Sequence, residues 1–300
     1  MREAPPLRRG DRVAVVAPSS PFELDRLERG MAWVRETFEV RDDAGLYQRR
    51  GYLAGDDLDR GAALADALED PEVRAVLCAR GGYGAMRALE VAGDRCLAAL
   101  RADPKLIVGF SDITALHAMA TRAGVRSLHA PMVVAAGESV TDDHAATLAT
   151  LLGERPATWE DLDAWAWPDA PTVRGVLVGG NLTVLASLLG TPWFPRLDGA
   201  LLMLEDVGEK PYRVDRALTA LRLSGALSKL AGVVLGGFTR CEPNADGVTV
   251  EDVLRERLSD LGVAVVAGAP FGHGGRHAPW VQGATATLTP TALAHDEAAA

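Results

Sequence analysis

A serine lies where a predicted strand turns into a predicted helix. Residues 106–109, Leu-Ile-Val-Gly, form a short apolar run that is typical of a buried strand with a tight exit. Ser111 and Asp112 then offer N-cap chemistry, and helical spacing continues over 113–122 until Gly124 stops it. A turn of this kind lifts a hydroxyl above the sheet edge beside backbone N–H groups, as nucleophilic catalysis requires. An ordinary N-cap serine is the alternative interpretation.

A nucleophilic serine needs a base, which is usually a histidine. Among the six histidines, His273 lies in a glycine-flanked loop directly after a predicted strand, whereas His117 falls inside a predicted helix. His273 and His277 are four residues apart, but Gly274 and Gly275 between them disfavour a metal-binding helix. The pattern alone makes His273 a candidate catalytic base without deciding between this role and a structural one, and it predicts no metal site.

A histidine base is in turn oriented by a carboxylate. Glu205 follows the apolar predicted strand 201–204, where a carboxylate is costly unless it is paired. Glu209 is a poorer candidate, because it lies beyond the strand in a loop. A structural ion pair of Glu205 with Lys210 or Arg213 is the other interpretation.

Nucleotide chemistry is not indicated. The stretch 82–87 begins like a dinucleotide fingerprint, but Arg87 stands where the third glycine is needed, and no phosphate-binding GxxxxGK[ST] sequence is present. We therefore expect no nucleotide cofactor.

Composition restricts the class of protein further. The 300 residues suggest two domains, and 48% of them are hydrophobic, which is ample for sizeable cores. A formal net charge of −10 argues against a nucleic-acid or anionic membrane partner. Three cysteines without ligand spacing suit a reducing compartment, and we see neither a signal peptide nor a membrane-spanning run. We therefore expect a cytoplasmic protein.

Strands and helices alternate along the first half of the chain. The predicted strands of this half cover 12–17, 73–79, 106–109 and 127–131. This alternation indicates a mostly parallel sheet with helices on both faces, in which ligands bind beyond the carboxyl ends of the strands. Ser111 and the turn 80–84, Arg-Gly-Gly-Tyr-Gly, both follow such strands, so we expect them at the same edge.

A second α/β unit follows a segment that breaks the pattern. Residues 154–171 are rich in proline and tryptophan and are predicted to form a linker between domains at 1–153 and 172–300. The predicted strands of the second unit cover 173–178, 201–204, 232–238, 263–267 and 285–288. The alanine-rich stretch 292–300 is predicted to be a frayed tail.

Seven short motifs occur in order between residues 52 and 273. They are Tyr52-Leu53-Ala54-Gly55, residues 78–84, Gly109-Phe110-Ser111-Asp112, His129-Ala130-Pro131-Met132, Gly179-Gly180-Asn181-Leu182, residues 204–213 and Phe271-Gly272-His273. As a set they resemble the LD-carboxypeptidases of serine peptidase family S66, which include muramoyltetrapeptide carboxypeptidases and microcin C self-immunity peptidases. The resemblance implies an α/β fold with an N-terminal flavodoxin-like parallel sheet, flanking helices and a C-terminal α/β domain with a β-barrel-like sheet.

The resemblance also implies a mechanism. Ser111 would be the nucleophile, His273 the general base and Glu205 its orienting carboxylate, with an oxyanion hole from the N–H groups of Asp112 and Gly82. The implied reaction releases D-alanine from murein tetrapeptides during cell-wall recycling, without a cofactor or metal, in a protein that could form a homodimer. A microcin C-type immunity peptidase and a catalytically inactive ligand-binding homologue are the alternatives.

Overall fold

The chain divides into two compact units in the computed structural model, which describes residues 1–41, 44–243, 245 and 247–296. Unit 1 comprises Met1–Arg155 and Ala278–Val281, and unit 2 comprises Pro156–His277 and the chain from Gln282 onward. The predicted domain limits, with a linker over 154–171, remain a prediction.

Strands and helices alternate through both units. The strands are β1 (Arg12–Val16), β2 (Glu39–Arg41), β3 (Val73–Cys78), β4 (Leu106–Gly109), β5 (Ser127–His129), β6 (Asp163–Ala166), β7 (Val173–Asn181), β8 (Ala200–Val207), β9 (Gly232–Thr239), β10 (Ala264–Ala267), β11 (Trp280–Gln282), β12 (Thr285–Leu288) and β13 (Leu293–His295). The α-helices are α1 (Leu24–Arg35), α2 (Asp57–Glu69), α3 (Ala85–Ala102), α4 (Thr114–Ala123), α5 (Val133–Ala136), α6 (Asp142–Leu151), α7 (Leu182–Ser187), α8 (Pro211–Leu223) and α9 (Val250–Leu258).

Unit 1 is built on a six-stranded sheet of order β11-β5-β4-β3-β1-β2. The five N-terminal strands are parallel and follow the flavodoxin-like order 2-1-3-4-5, which confirms the predicted sheet. Apolar residues of α1, such as Leu27, Met31 and Val34, pack in one core with Val13 and Val15 of β1. Helix α3 packs between α2 and α4. The carboxyl ends of the strands are thus held at one edge by buried strands and helices.

Unit 2 contains a seven-stranded sheet of order β13-β12-β7-β8-β9-β10-β6. Strands β7 to β10 are parallel, whereas β12, β13 and β6 join antiparallel. The segment leading into β6 also bonds to the opposite edge: Trp159 and Leu293 exchange two backbone hydrogen bonds of 2.9 Å, and Leu162 N donates to Thr291 O at 3.0 Å. The sheet therefore curls into a half-barrel, which confirms the expected barrel-like sheet.

Three strands lie outside the predicted pattern. Strand β6 forms inside the predicted linker, where Trp159 is buried with 4% exposure. Strand β11 joins the sheet of unit 1 from far along the chain. Strand β13 occupies part of the predicted tail, so the prediction of fraying was wrong for 293–295, while residues 297–300 lie outside the described residues. Within the described residues, every helix is too short or too polar to cross a bilayer.

Candidate active site

Ser111 occupies a strained turn in unit 1. Strand β4 ends at Gly109, Phe110 is extended, and Ser111 has a φ of 64° at the start of a short 3₁₀ helix over Ser111–Ile113. A left-handed conformation is uncommon outside glycine, and such strain costs about 1–3 kcal/mol. Strain at a strand-to-helix turn is typical of a nucleophile elbow.

The predicted N-cap role of Ser111 and Asp112 was wrong. The cap of the 3₁₀ helix is Phe110 and the cap of α4 is Ile113, and neither makes a side-chain cap hydrogen bond. The reason is the intervening 3₁₀ turn, which moves the start of α4 to Thr114. Ser111 is therefore the N-cap residue of neither helix.

The glycine turn after β3 lies directly against this serine. A Cβ built at Gly81 would lie 3.1 Å from Cβ of Ser111 and 3.4 Å from the backbone nitrogen of Asp112, so a side chain there would press on the elbow. Ser20 holds the turn from the other side: its N donates to Gly81 O at 3.2 Å, and its Oγ accepts from Tyr83 N at 3.1 Å. The proposed oxyanion donors thus belong to two segments in contact.

The Asp112 side chain ties the elbow to two neighbouring segments. Its carboxylate is buried, and Oδ2 accepts hydrogen bonds from Ser19 Oγ at 2.6 Å and from Ala85 N at 2.8 Å. Burial raises the pKa of Asp112, although these two hydrogen bonds and the charge of Arg60 oppose the shift. These bonds fix the residue whose N–H is the expected oxyanion donor.

Arg60 is a buried cation that braces the same region. It is 3% exposed, donates to the carbonyl oxygens of Pro18 and Gly84, and pairs with Asp57. The carbonyl bonds join the loop after β1 to the end of the glycine turn. Arg87, the residue that disqualified the dinucleotide fingerprint, also pairs with Asp57.

His117 has a structural environment, in keeping with its position in a helix. It is completely buried, with Nδ1 2.8 Å from Ser127 Oγ and Nε2 2.8 Å from Gly109 O. Because a carbonyl oxygen only accepts, Nε2 carries the proton and Nδ1 accepts from the serine. Burial lowers the pKa of His117 to about 4, so the ring is neutral at pH 7 and anchors the end of β4.

In unit 2, His273 and Glu205 are hydrogen-bonded. Nδ1 of His273 lies 2.7 Å from Oε2 of Glu205, whose side chain is fully buried, while the His273 side chain is 18% exposed. Glu205 lies in β8, and His273 lies in the loop that follows β10. The bond fixes the ring orientation and makes Nε2 the nitrogen that is available for accepting a proton.

A β-bulge brings two adjacent carboxylates to one partner. The pairing of β8 with β9 shifts register between Leu204 and Asp206, which breaks the usual alternation of side chains. Nδ2 of Asn181 therefore donates to Oε1 of Glu205 at 3.3 Å and to Oδ1 of Asp206 at 2.9 Å. Asn181 lies at the end of the neighbouring strand β7 and donates a hydrogen bond to each of the two carboxylates.

The amide of Asn181 has a fixed orientation. Its Oδ1 accepts from Val184 N at 3.0 Å at the start of α7, so its NH₂ group must face the carboxylates. Asp206 is held separately, because Oδ2 accepts from the N and Oγ of Thr183 at 2.9 and 2.7 Å. The network leaves little freedom for Glu205.

The loop that carries His273 is packed against Glu205. Gly272 has a φ of 118°, and a Cβ there would lie 3.0 Å from Cβ of Glu205, so a larger residue would push the loop away. Nδ1 of buried His277 lies 3.0 Å from Gly272 N and 2.8 Å from Gly272 O. His277 thus anchors the loop. In the part of the chain that the structure describes, no cluster of three or more potential metal ligands occurs.

Glu205 does not form the alternative ion pair considered from the sequence. Arg213 lies 3.5 Å from Glu209, one helical turn earlier, while Glu205 is bonded to His273 and Asn181. The alternative failed because the bulge and the loop after β10 supply a histidine partner. Glu209 remains the weaker candidate for the carboxylate role.

Sequence reasoning missed the residues that hold these groups. Asn181 and Asp206 were visible only as parts of motifs, and Ser19 and Arg60 were not identified at all. The adjacent acids Glu205 and Asp206 at the end of a predicted strand were a usable signal. Two buried carboxylates require hydrogen-bond donors close by.

Two family profiles match most of the chain. The profile of the LD-carboxypeptidase N-terminal domain matches residues 13–130, and that of the C-terminal domain matches residues 174–288. The chain belongs to the LD-carboxypeptidase family. A putative carboxypeptidase of Synechocystis is 42% identical over 94% of this chain and 93% of its own length. The murein tetrapeptide carboxypeptidase of Pseudomonas aeruginosa is 33% identical over 92% of both chains.

Solved structures agree with this assignment. The muramoyltetrapeptide carboxypeptidase of Oxalobacter formigenes has a TM-score of 0.79 and 30% identity, covering 95% of this chain and 100% of that one. The microcin immunity protein MccF, in complex with glutamyl sulfamoyl guanosine, has a TM-score of 0.85 at 19% identity and 98% coverage of both chains, a likeness of fold alone. This LD-carboxypeptidase family member is therefore an enzyme, a peptidase of the carboxypeptidase type with the expected two-domain fold.

Proposed function

We propose that this enzyme is a serine LD-carboxypeptidase that releases terminal D-alanine from murein tetrapeptides. The observation that supports it most is the 2.7 Å hydrogen bond between His273 and buried Glu205, because a histidine held in this way is suited to act as a general base. The strained turn at Ser111 supports the nucleophile assignment. Ser111, His273 and Glu205 form the proposed triad.

In the proposed reaction, Nε2 of His273 takes the Ser111 proton as Oγ attacks the carbonyl of the L-residue. Glu205 accepts from Nδ1–H and stabilises the resulting imidazolium. The N–H groups of Asp112 and Gly82 donate to the oxyanion of the tetrahedral intermediate. His273 then protonates the departing amine of D-alanine, and water hydrolyses the acyl-enzyme with the same base.

The substrate assignment is supported by the relatives. One at 36% identity over 89% of this chain is described as a probable murein peptide carboxypeptidase of Bacillus subtilis, and the Pseudomonas relative is a murein tetrapeptide carboxypeptidase. A role in cytoplasmic cell-wall recycling is part of the proposal, with a small peptide as the partner and neither nucleic acid nor membrane involved.

A comparison of three synthetic peptides tests the proposed function. A murein tetrapeptide ending in D-alanine should be cut to tripeptide and free D-alanine. The same peptide ending in L-alanine should react at least about a hundredfold more slowly, because misplacing the scissile carbonyl by about 1 Å lowers the rate by that factor. The D-Ala-D-Ala bond of a pentapeptide should also resist, since its acyl side is a D-centre.

The measurement is kcat/KM from amino-acid release. Equal rates on the L- and D-terminated tetrapeptides would indicate a general peptidase. No cleavage of any peptide would favour the immunity-peptidase alternative, which can be tested by the binding of aspartyl sulfamoyl adenosine, the ligand of one MccF complex.

A further inference from the structure

The backbone on both sides of His273 consists of glycine. Gly272 precedes it with a φ of 118°, and two more glycines follow it. Glycine has no side chain to pack, and its backbone has the largest conformational freedom of any residue. The orientation of the His273 ring towards Glu205 therefore depends on contacts made by other residues of the connection after β10. Residues 268–277 of this connection are named the histidine loop.

Phe271 is the nearest residue before His273 that has a side chain. It is 1% exposed, and its carbonyl oxygen accepts from the N of Gly237 in β9 at 2.8 Å. A Cβ built at Gly236 would lie 2.9 Å from two carbons of the Phe271 ring, so the ring lies directly against the backbone of β9. Phe271 thereby fastens the histidine loop two residues before His273.

Trp159 stacks on the same ring. The ring centroids of Trp159 and Phe271 are 5.7 Å apart and the ring planes differ by 18°, an offset arrangement that is favourable for aromatic pairs. The backbone of Trp159 is bonded to Leu293, so the indole is held without help from the histidine loop. Phe271 is therefore packed against β9 and against a tryptophan that the β13 edge of the sheet fixes.

The hydrogen bond of His273 leaves little room for displacement. Its Nδ1 lies 2.7 Å from Oε2 of Glu205, and that carboxylate is itself held by Asn181. Because a single residue separates Phe271 from His273, a displacement of Phe271 by about 1 Å would be passed on to the imidazole. Misplacing a catalytic group by about 1 Å can lower the rate by about a hundredfold.

We propose that Trp159 is a positioning residue for His273. By stacking on Phe271, Trp159 holds the histidine loop where Nδ1 of His273 meets the buried carboxylate of Glu205. It acts on the imidazole only through Phe271. The inference rests on the proposed function in taking His273 as the general base, whereas the orientation of the ring can be measured without turnover.

Substitutions of Trp159 in the full chain test this role. Trp159→Leu should lower kcat on a murein tetrapeptide ending in D-alanine by about ten- to a hundredfold and leave KM nearly unchanged, since it removes the stack and keeps the backbone bonds to Leu293. Trp159→Phe should restore most of the lost kcat, because a phenyl ring can still stack on Phe271. A wild-type kcat in Trp159→Leu would overturn the proposal.

Trp165→Leu is the matched control. Trp165 lies in β6 of the same sheet, where the guanidinium carbon of Arg255 lies 3.9 Å from the centroid of its ring. The same substitution there should keep the wild-type kcat, because its contact with Arg255 is not part of the histidine loop. Equal losses of kcat in the two leucine variants would mean that the sheet is loosened in general, and they would refute a positioning role.

A double variant tests whether the effect passes through Phe271. Phe271→Leu removes the other ring of the stack and should lower kcat as Trp159→Leu does, so it also serves if Trp159→Leu does not fold. Residues that act through one shared contact are not additive, so adding Trp159→Leu to Phe271→Leu should cost little more. A wild-type kcat in Phe271→Leu, or a full second loss in the double variant, would contradict the proposed route.

Proton NMR provides a readout that does not depend on turnover. A histidine N–H that is bonded to a carboxylate gives a low-field resonance, and its absence in His273→Gln assigns it. The resonance should be present in the wild type and in Trp165→Leu, and broadened or lost in Trp159→Leu. If the wild type releases no D-alanine, the proposed function fails, and this resonance alone decides the inference. An unchanged resonance in Trp159→Leu would show that Trp159 does not position the ring.

Discussion

Nδ2 of Asn181 donates to Oε1 of Glu205 at 3.3 Å, on the carboxylate oxygen opposite the one that faces His273. The carboxylate is thus held from both sides, and Val184 N keeps the amide from turning. We expect Asn181 to act as a positioning residue, because it acts on the imidazole only through Glu205.

Asn181→Leu should lower kcat by about ten- to a hundredfold and leave KM nearly unchanged, since it leaves one carboxylate oxygen without its donor. Steady-state kinetics of the folded variant provide the check. Gln282→Leu is the matched control, because buried Gln282 accepts from Gly179 N in the same strand as Asn181 but bonds neither acid. Comparable losses of kcat in both variants would mean that Asn181 is merely structural.

Ser111→Ala should reduce turnover on the order of 10⁶-fold, as expected for loss of a triad nucleophile. Alanine can adopt the same strained backbone, so the far-UV circular dichroism and thermal midpoint should be preserved. A serine-directed phosphonate should add its mass to the wild type and to Ser228→Ala, whose serine is distant in sequence, and should not label Ser111→Ala. A folded Ser111→Ala enzyme with a tenth of the activity would disprove the assignment.

Glu205→Gln should cost about 10⁴ in kcat, because an amide presents the wrong partner to Nδ1–H of His273 or favours the wrong tautomer. Glu209→Gln removes an ion pair with Arg213 and should lower kcat only slightly. The two variants are matched in chemistry and lie four residues apart. The reverse ranking in kcat would move the carboxylate role to Glu209.

His117 should make stability fall in mild acid. Its pKa is lowered by burial from 6.5 to about 4, so between these values the unfolded chain binds a proton that the folded chain does not. The contribution of neutral His117 to the free energy of unfolding is complete above pH 6.5, and it decreases by about 3 kcal/mol as the pH falls to 4. Urea unfolding of wild type and His117→Gln at pH 7 and pH 4.5 measures it. The wild type should lose more stability than the variant, and equal losses would contradict the assignment.

Chelation should leave activity unchanged, because the proposed triad performs the chemistry without a metal. The assay is D-alanine release before and after dialysis against EDTA. Loss of activity that added zinc restores would replace the serine mechanism with one in which His273 and His277 are ligands.

The sequence allowed the first sheet to be predicted because its signals are local. The apolar run of β4 and the glycine at the end of α4 each mark an element boundary within a few residues. The pairing of Glu205 with a histidine rather than with Arg213 could not be read in this way. It depends on a bulge, and the position of the bulge is set by the pairing of β8 with β9, which the sequence of one strand does not reveal.

Strands β6, β11 and β13 were missed for a related reason. Each is only three or four residues long and owes its stability to partners far along the chain. Trp159 was assigned to a linker because prolines and acids surround it, yet its backbone pairs with Leu293. Composition describes only the residues near Trp159 in the sequence, whereas its partner Leu293 lies far along the chain.

The position of β11 has a consequence during protein synthesis. The N-terminal part of unit 1 ends at Arg155, and its remaining segment, which contains Trp280, is synthesised about 120 residues later. Trp280 stacks on His129 with ring centroids 4.7 Å apart. At about 5–20 residues per second, the ribosome needs roughly 6–25 s for that interval. Throughout it, β5 is an open sheet edge with an uncovered imidazole, a site for pairing with other nascent chains. Chaperone demand should therefore peak while unit 2 is being translated.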